Sequence, residues 1–145
     1  MALNAGTYEA QIVELLGDRG DVVRYTVADG TTISKGTLLK VTGTRTAART
    51  PTNSILTQVP LAGIAAVDKV ANDGSTTLGV YTNGIFEMRV SQNGGVNPGD
   101  YVTTSGANNQ IKLAAAADVI SGAVLGKVLE KGADTSEVIV LVNCR

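Results

Sequence analysis

Thirteen Asp and Glu, twelve Lys and Arg, a single Cys and no His are the residues with which this chain could do chemistry. Without His, a Ser or Cys nucleophile lacks its usual general base, and Cys/His zinc ligation is equally excluded. The one thiol, Cys144, lies one residue from the end, so no intrachain disulfide forms, and it reads as a small strand-terminal hydrophobe. A free thiol fits assembly in a reducing place such as cytoplasm. Glycoside hydrolysis needs two carboxylates facing one another across a cleft. Asp29, Asp73, Asp100 and Asp134 instead each sit beside Gly or Ala in turn-like text. Asn72-Asp73-Gly74 lacks the alternating carboxylates and closing Glu of a calcium loop. Gly43-Thr44-Arg45-Thr46 lacks the Gly-Lys-Ser/Thr ending of a phosphate loop. The reading is therefore a protein that is no enzyme and needs no cofactor or metal.

Two charged features remain. Arg19-Gly20-Asp21 spells the integrin-recognition tripeptide, but a polar turn selects the same residues. Between Asp29 and Asp68 there is no acid, while Lys35, Lys40, Arg45 and Arg49 are basic. Arg45 and Arg49 lie in a polar stretch over 42–59 that reads as a long loop, either solvated or meeting an acidic partner. With a net charge of −1, no basic face for nucleic acid is expected. No apolar stretch is long enough for a bilayer. One Phe, four Tyr and no Trp supply no stacking platform for bases or sugars.

The elements that carry these residues read as β. Val, Thr and seventeen Gly dominate, favouring short strands and tight turns. Strands are expected at 22–27, 38–41, 63–70, 101–104, 124–129 and 138–142, with one short helix within 113–120. Asn83-Gly84, between two β-prone runs, predicts a two-residue hairpin with both residues at positive φ. The chain also repeats itself at an offset of 63 residues: Ile33-Ser34-Lys35-Gly36-Thr37-Leu38-Leu39 parallels Val96-Asn97-Pro98-Gly99-Asp100-Tyr101-Val102, and Gly43 and Gly63 recur as Gly106 and Gly126. Gly36 and Gly99 should give the positive φ that each turn needs. Two related β units, about 33–70 and 96–130, would share one core in a small barrel or sandwich.

Residues 1–21 differ from the rest. Leu3, Tyr8, Ile12, Val13, Leu15 and Leu16 are apolar among polar neighbours, and helix and extended arm remain open. Such a segment docks onto something. The expectation is an arm over 1–21 attached to a β domain over 22–145, so that deleting residues 2–16 leaves the domain folded.

The run from Gly20 to Leu39, with Gly20-Asp21-Val22-Val23-Arg24-Tyr25-Thr26 leading to Ile33-Ser34-Lys35-Gly36-Thr37-Leu38, resembles the opening of tailed-phage head decoration (capsid cement) proteins. Leu61-Ala62-Gly63-Ile64-Ala65 and Asn83-Gly84-Ile85-Phe86-Glu87 are similar to later strands of that family. Thr37, where the family often has Asp, and the 42–59 stretch depart from it. The resemblance covers roughly residues 20–145. It implies a β-tulip-like or small-barrel fold and a homo-oligomer, a trimer, on the outer surface of an icosahedral phage head in the virion. There the protein would clamp neighbouring major capsid protein subunits, with the apolar arm, Arg45 and Arg49 as contacts. The competing readings are a particle-displayed cell- or glycan-binding module and an acid-pair hydrolase.

Overall fold

The computed structural model of the chain describes residues 8–16, 22–50, 59–91, 96–105, 109–131 and 136–144. It is an all-β fold with one short helix. The strands are β1 (Gln11–Glu14), β2 (Val22–Thr26), β3 (Leu38–Gly43), β4 (Thr46–Arg49), β5 (Leu61–Ala65), β6 (Thr77–Tyr81), β7 (Asn83–Arg89), β8 (Tyr101–Thr104), β9 (Ile111–Leu113), β10 (Gly126–Lys131) and β11 (Glu137–Asn143); the helix α1 spans Ala116–Ser121. Strands β2-β4-β3-β5-β6 close into a barrel, and β1-β7-β11-β10-β8-β9 form a six-stranded sheet.

The repeat seen in the sequence is a repeat of topology. In the first unit β3 pairs with β5 through Leu39↔Gly63 and Leu38↔Ile64; in the second β8 pairs with β10 through Val102↔Gly126 and Tyr101↔Lys127. Each pair is the other displaced by 63 residues. The preceding turns match as well: Gly36 (φ 92°) donates to the Ala65 carbonyl at 2.9 Å and Gly99 (φ 96°) to that of Val128 at 2.8 Å. Strands β2 to β6 thus correspond to β7 to β11. The barrel closes through a parallel contact of Thr26 with Thr46, and the second unit has its counterpart in the parallel bridge Val90↔Ile111.

Alternation along each strand sets the core. Leu39, Ala62, Ala65, Leu78 and Val80 fill the barrel, while their neighbours Leu38, Ile64, Ala66 and Tyr81 face outward. Those outward residues are nevertheless buried, because they pack into the second unit's core of Phe86, Met88, Val102, Leu125, Val128 and Val140. The Tyr81 and Phe86 rings lie 5.9 Å apart at this seam. The two units are therefore joined through one shared core cluster, beside the barrel's own interior.

Asn83 and Gly84 do not form a hairpin. β6 stays in the barrel with β2 and β5, whereas β7 pairs with β11 and β1, so the chain crosses between units at Thr82. Asn83 stands opposite Asn143 and Gly84 opposite Val142. Only Gly84 has positive φ, at 141°. A Cβ there would lie 2.8 Å from the Phe86 ring, so the glycine admits the ring rather than a turn. Local turn chemistry lost to the tertiary demand of the core. The polar stretch 42–59 also differs from expectation. Its first part is a hairpin of β3 and β4 joined through Thr44 and Arg45, and 51–58 lie outside the described residues. The strand expected over 63–70 ends at Ala65, and Val67 and Val70 are exposed.

Candidate functional site

Of the apolar segment expected to reach a partner, Leu3 lies outside the described residues, as does Arg19-Gly20-Asp21. The described part, Tyr8 to Leu16, is extended and tied to its own chain. Ile12 opposes Phe86 and Gln11 opposes Glu87, which makes β1 an edge strand of the sheet. The Ala10 N–H donates to the Gly36 carbonyl at 2.9 Å, and Ile12 and Leu15 pack on the shared core. Asn109 bridges the units here. Its Nδ2 donates to the Tyr8 and Gly36 carbonyls at 3.1 and 3.0 Å, and its Oδ1 accepts the Leu38 N–H at 2.7 Å. The Arg89 guanidinium sits 5.0 Å from the Tyr8 ring centre. The segment is thus not a separate arm through residues 8–16: its apolar residues find a seat in their own fold. Leu16 is half-buried, and Val13 faces outward, 51 % exposed.

Arg45 is exposed but not idle. At φ 49° it turns the β3–β4 hairpin, its Nε donates to the Arg24 carbonyl at 2.9 Å, and its carbonyl accepts the Thr26 N–H at 2.8 Å. Asn109, at φ 61°, occupies the related place in the second unit. Arg45 thus secures barrel closure, a role the sequence did not disclose. Arg49, at the end of β4, is exposed.

Two polar clusters escaped the sequence reading. In the first, the buried Lys69 ammonium bonds the Asp29 carbonyl (2.9 Å), the Val70 carbonyl (3.2 Å), Asp73 Oδ1 (3.1 Å) and Asp29 Oδ1 (3.3 Å). The carboxylates also accept backbone N–H groups: Asp29 from Gly74, and Asp73 from Ser75 and Val70. Lys69 thereby pins the loop after β5 to the turn after β2, beside the Ile33↔Lys69 bridge. Burial opposes the Lys69 charge, but bonds and charge from Asp73 and Asp29 prevail and raise its pKa above 10.5. The Ser75 N–H, with Lys69, lowers the Asp73 carboxyl below 3.8. A lowered acid stabilises the fold above its unfolded pKa, and that contribution disappears as pH falls through the folded value. Thermal melts of Asp73→Asn should therefore run below wild type at about pH 6 and converge with it at about pH 2. A constant offset across that range would disprove the linkage.

The second cluster lies on the outward face of β7 and β11. Glu87 and Glu137 are buried there, 6 % and 1 % exposed, with Arg89 Nη1 3.9 Å from Glu137 Oε1. Burial raises the Glu87 pKa above 4.5, and the Glu137 carboxylate raises it further. Such a pair is what an acid-pair hydrolase would require. However, both side chains are closed from solvent. A cleft of about 230 Å³ lies between Pro60, Leu61, Gly122, Ala123, Asn143 and Cys144. Its thiol is no nucleophile, because burial pushes the Cys144 pKa to about 12. Among the described residues no three His, Cys, Asp or Glu gather as metal ligands. No helix among them is long and apolar enough to cross a membrane.

What the described surface does offer is apolar contact. Asp118, buried in α1, accepts the Ala115 N–H at 3.0 Å, and Gly122 ends the helix at φ 78°. Between these stops the helix carries Val119 and Ile120 outward, 45 % and 87 % exposed. Comparison with protein-family models and with curated proteins finds no match.

Proposed function

We propose that this protein is a structural virion protein that binds the outer surface of an icosahedral phage capsid and stabilises it by clamping neighbouring major capsid subunits. In this reading copies of the chain associate on the particle, as trimers by resemblance. The observation that carries the reading is Ile120, held 87 % exposed on a helix anchored by the buried Asp118 and ended by Gly122. Large apolar side chains displayed on a rigid scaffold are the material of protein–protein contacts rather than of catalysis. The resemblance of 20–39, 61–65 and 83–87 to head decoration proteins supplies the partner. The expected contacts shift accordingly, from the docked residues Tyr8, Ile12 and Leu15 to Val13, Val119 and Ile120.

Ile120→Asp tests the contact. The variant should keep the wild-type melting temperature, because the side chain is exposed, and should bind purified capsids at least about tenfold more weakly in a co-sedimentation titration. Unchanged binding would remove α1 from the interface.

A further inference from the structure

The outward face of the second unit's sheet meets water at Lys127 and Glu130 of β10, yet it holds two buried carboxyls, Glu87 and Glu137. Pairing of β7 with β11 sets Arg89 opposite Glu137 and Glu87 opposite Ile139, so Glu87 and Glu137 are diagonal neighbours within side-chain reach. They are hydrogen-bonded to each other. A hydrogen bond between carboxyls needs a proton, because two carboxylates have only acceptors. Burial acts in the same direction: Glu87 Oε1 has no hydrogen-bond partner among the described residues, and a charge there would be unsolvated. One guanidinium serves both acids. Arg89 Nη1 lies 3.9 Å from Glu137 Oε1, and the same group sits over the Tyr8 ring, 5.0 Å from its centre. Tyr8 leads into β1, and β1 places Gln11 opposite Glu87. The edge strand therefore lies against the carboxyl pair through Gln11 and shares its counter-ion through Tyr8.

We propose that Glu87, Glu137 and Arg89 form a pH-sensitive latch for β1: the strand stays closed on β7 while the two carboxyls share a proton, and loosens when that proton leaves. With the proton, the pair carries one negative charge, which the guanidinium balances. Without it, two carboxylates repel each other in a buried site, and the unbalanced charge draws in water. β11 is held on both sides, by β7 and β10, whereas β1 is an edge strand of four residues. Opening β1 is therefore the smallest rearrangement that admits water. A guanidinium drawn to a second carboxylate also leaves the Tyr8 ring. The other charged side chains of the adjoining elements are Glu9, whose β-carbon abuts the Gly36 turn, the exposed Glu14, Lys127 and Glu130, the half-buried Lys112 on β9, and Lys131, which donates to the Val96 carbonyl. Burial holds the Glu87 proton in the fold, against the pull of the positive amino terminus and with the help of Glu137. The stability linked to Glu87 is then complete below its unfolded value near 4.5 and falls as pH rises through the folded value. Asp73 acts in the opposite sense, its contribution disappearing toward acid.

Hydrogen exchange of the whole chain at about pH 4.5 and about pH 8, corrected for the intrinsic pH dependence of exchange, is the test. Protection of the β1 amides should fall at least about tenfold between the two, the equivalent of one pKa unit, while the β6 amides of the barrel keep theirs. In Glu87→Gln, which keeps the shape and cannot ionise, β1 should be as protected at the higher pH as wild type is at the lower. Glu137→Gln removes the same repulsion and serves if the first variant does not fold. Protection of β1 that does not change with pH overturns the proposal. So does a fall that persists in the Gln variant, or one that β6 shares in equal measure, since a loss spread over the whole fold is not a latch. None of these results bears on capsid binding, so this inference and the proposed function stand or fall separately.

Discussion

Gly126→Ala is expected to cost about 3–5 kcal/mol, and Gly63→Ala a similar amount. A Cβ on Gly126 would stand 2.0 Å from the Leu141 carbonyl oxygen and 2.8 Å from its carbon; one on Gly63 would stand 2.1 Å from the Tyr81 carbonyl oxygen. These obstacles are backbone atoms of the adjacent strand, so no side chain can swing aside, and the strands themselves must separate. Gly63 adds a φ of 142°, which side chains rarely adopt. Against a total stability of about 5–15 kcal/mol, either loss should lower the melting temperature by about 10–20 °C. Gly99→Ala is the control, because nothing lies within 4 Å of its Cβ position and only its φ of 96° is strained. It should cost about 1 kcal/mol. A Gly126→Ala protein as stable as the Gly99→Ala protein would deny the close approach of β10 and β11. The two sensitive glycines occupy related places in the two units, so similar losses would also support the duplication.

Removing residues 1–16 should have an effect of comparable size and of a different kind. The truncation strips β1 from the edge of β7 and uncovers the core beside Phe86, where Ala10, Ile12 and Leu15 now pack. It also removes the Ala10–Gly36 hydrogen bond and the Tyr8 carbonyl held by Asn109. Uncovering that much apolar surface costs about 3–5 kcal/mol, the scale of a large truncation in a core. The truncated chain should therefore melt far below wild type, as followed by circular dichroism, and expose hydrophobic surface to a dye. A truncated chain that melts like wild type would restore the picture of a detachable arm.

The contrast between these two regions shows what a sequence of this type discloses. Gly36, Gly63, Gly99 and Gly126 were legible because a repeated backbone requirement leaves repeated glycines, and pairing of β3 with β5 and of β8 with β10 follows the same offset. The strand at 101–104 stands where the residues place it, and the short helix expected within 113–120 forms over Ala116–Ser121, with Leu113 in β9 instead. Thr46–Arg49 and Ile111–Leu113 were not legible, because such short strands are held by neighbours rather than by their own alternation. Asn83-Gly84 carried a strong local signal for a turn, overruled by the pairing of β7 with β11. Ile12 and Leu15 looked unpartnered because their partner, Phe86, lies some seventy residues on. Lys69 and the Glu87–Glu137 pair carried no signal in the sequence for the same reason: only the folded topology brings their neighbours together. Of the candidate contacts, Val13, Arg45 and Arg49 remain exposed, whereas Val119 and Ile120 were hidden within Ala-rich text that signalled a helix but not its outward face.

The most direct test of the proposed function is electron cryomicroscopy of any particle with which the protein copurifies. The account predicts density for this fold at regular positions on the outside of the shell, each bridging adjacent major capsid subunits, with the α1 face turned toward the shell. Particles whose outer surface lacks such density, or in which the protein lies inside the shell or only on the tail, would contradict it.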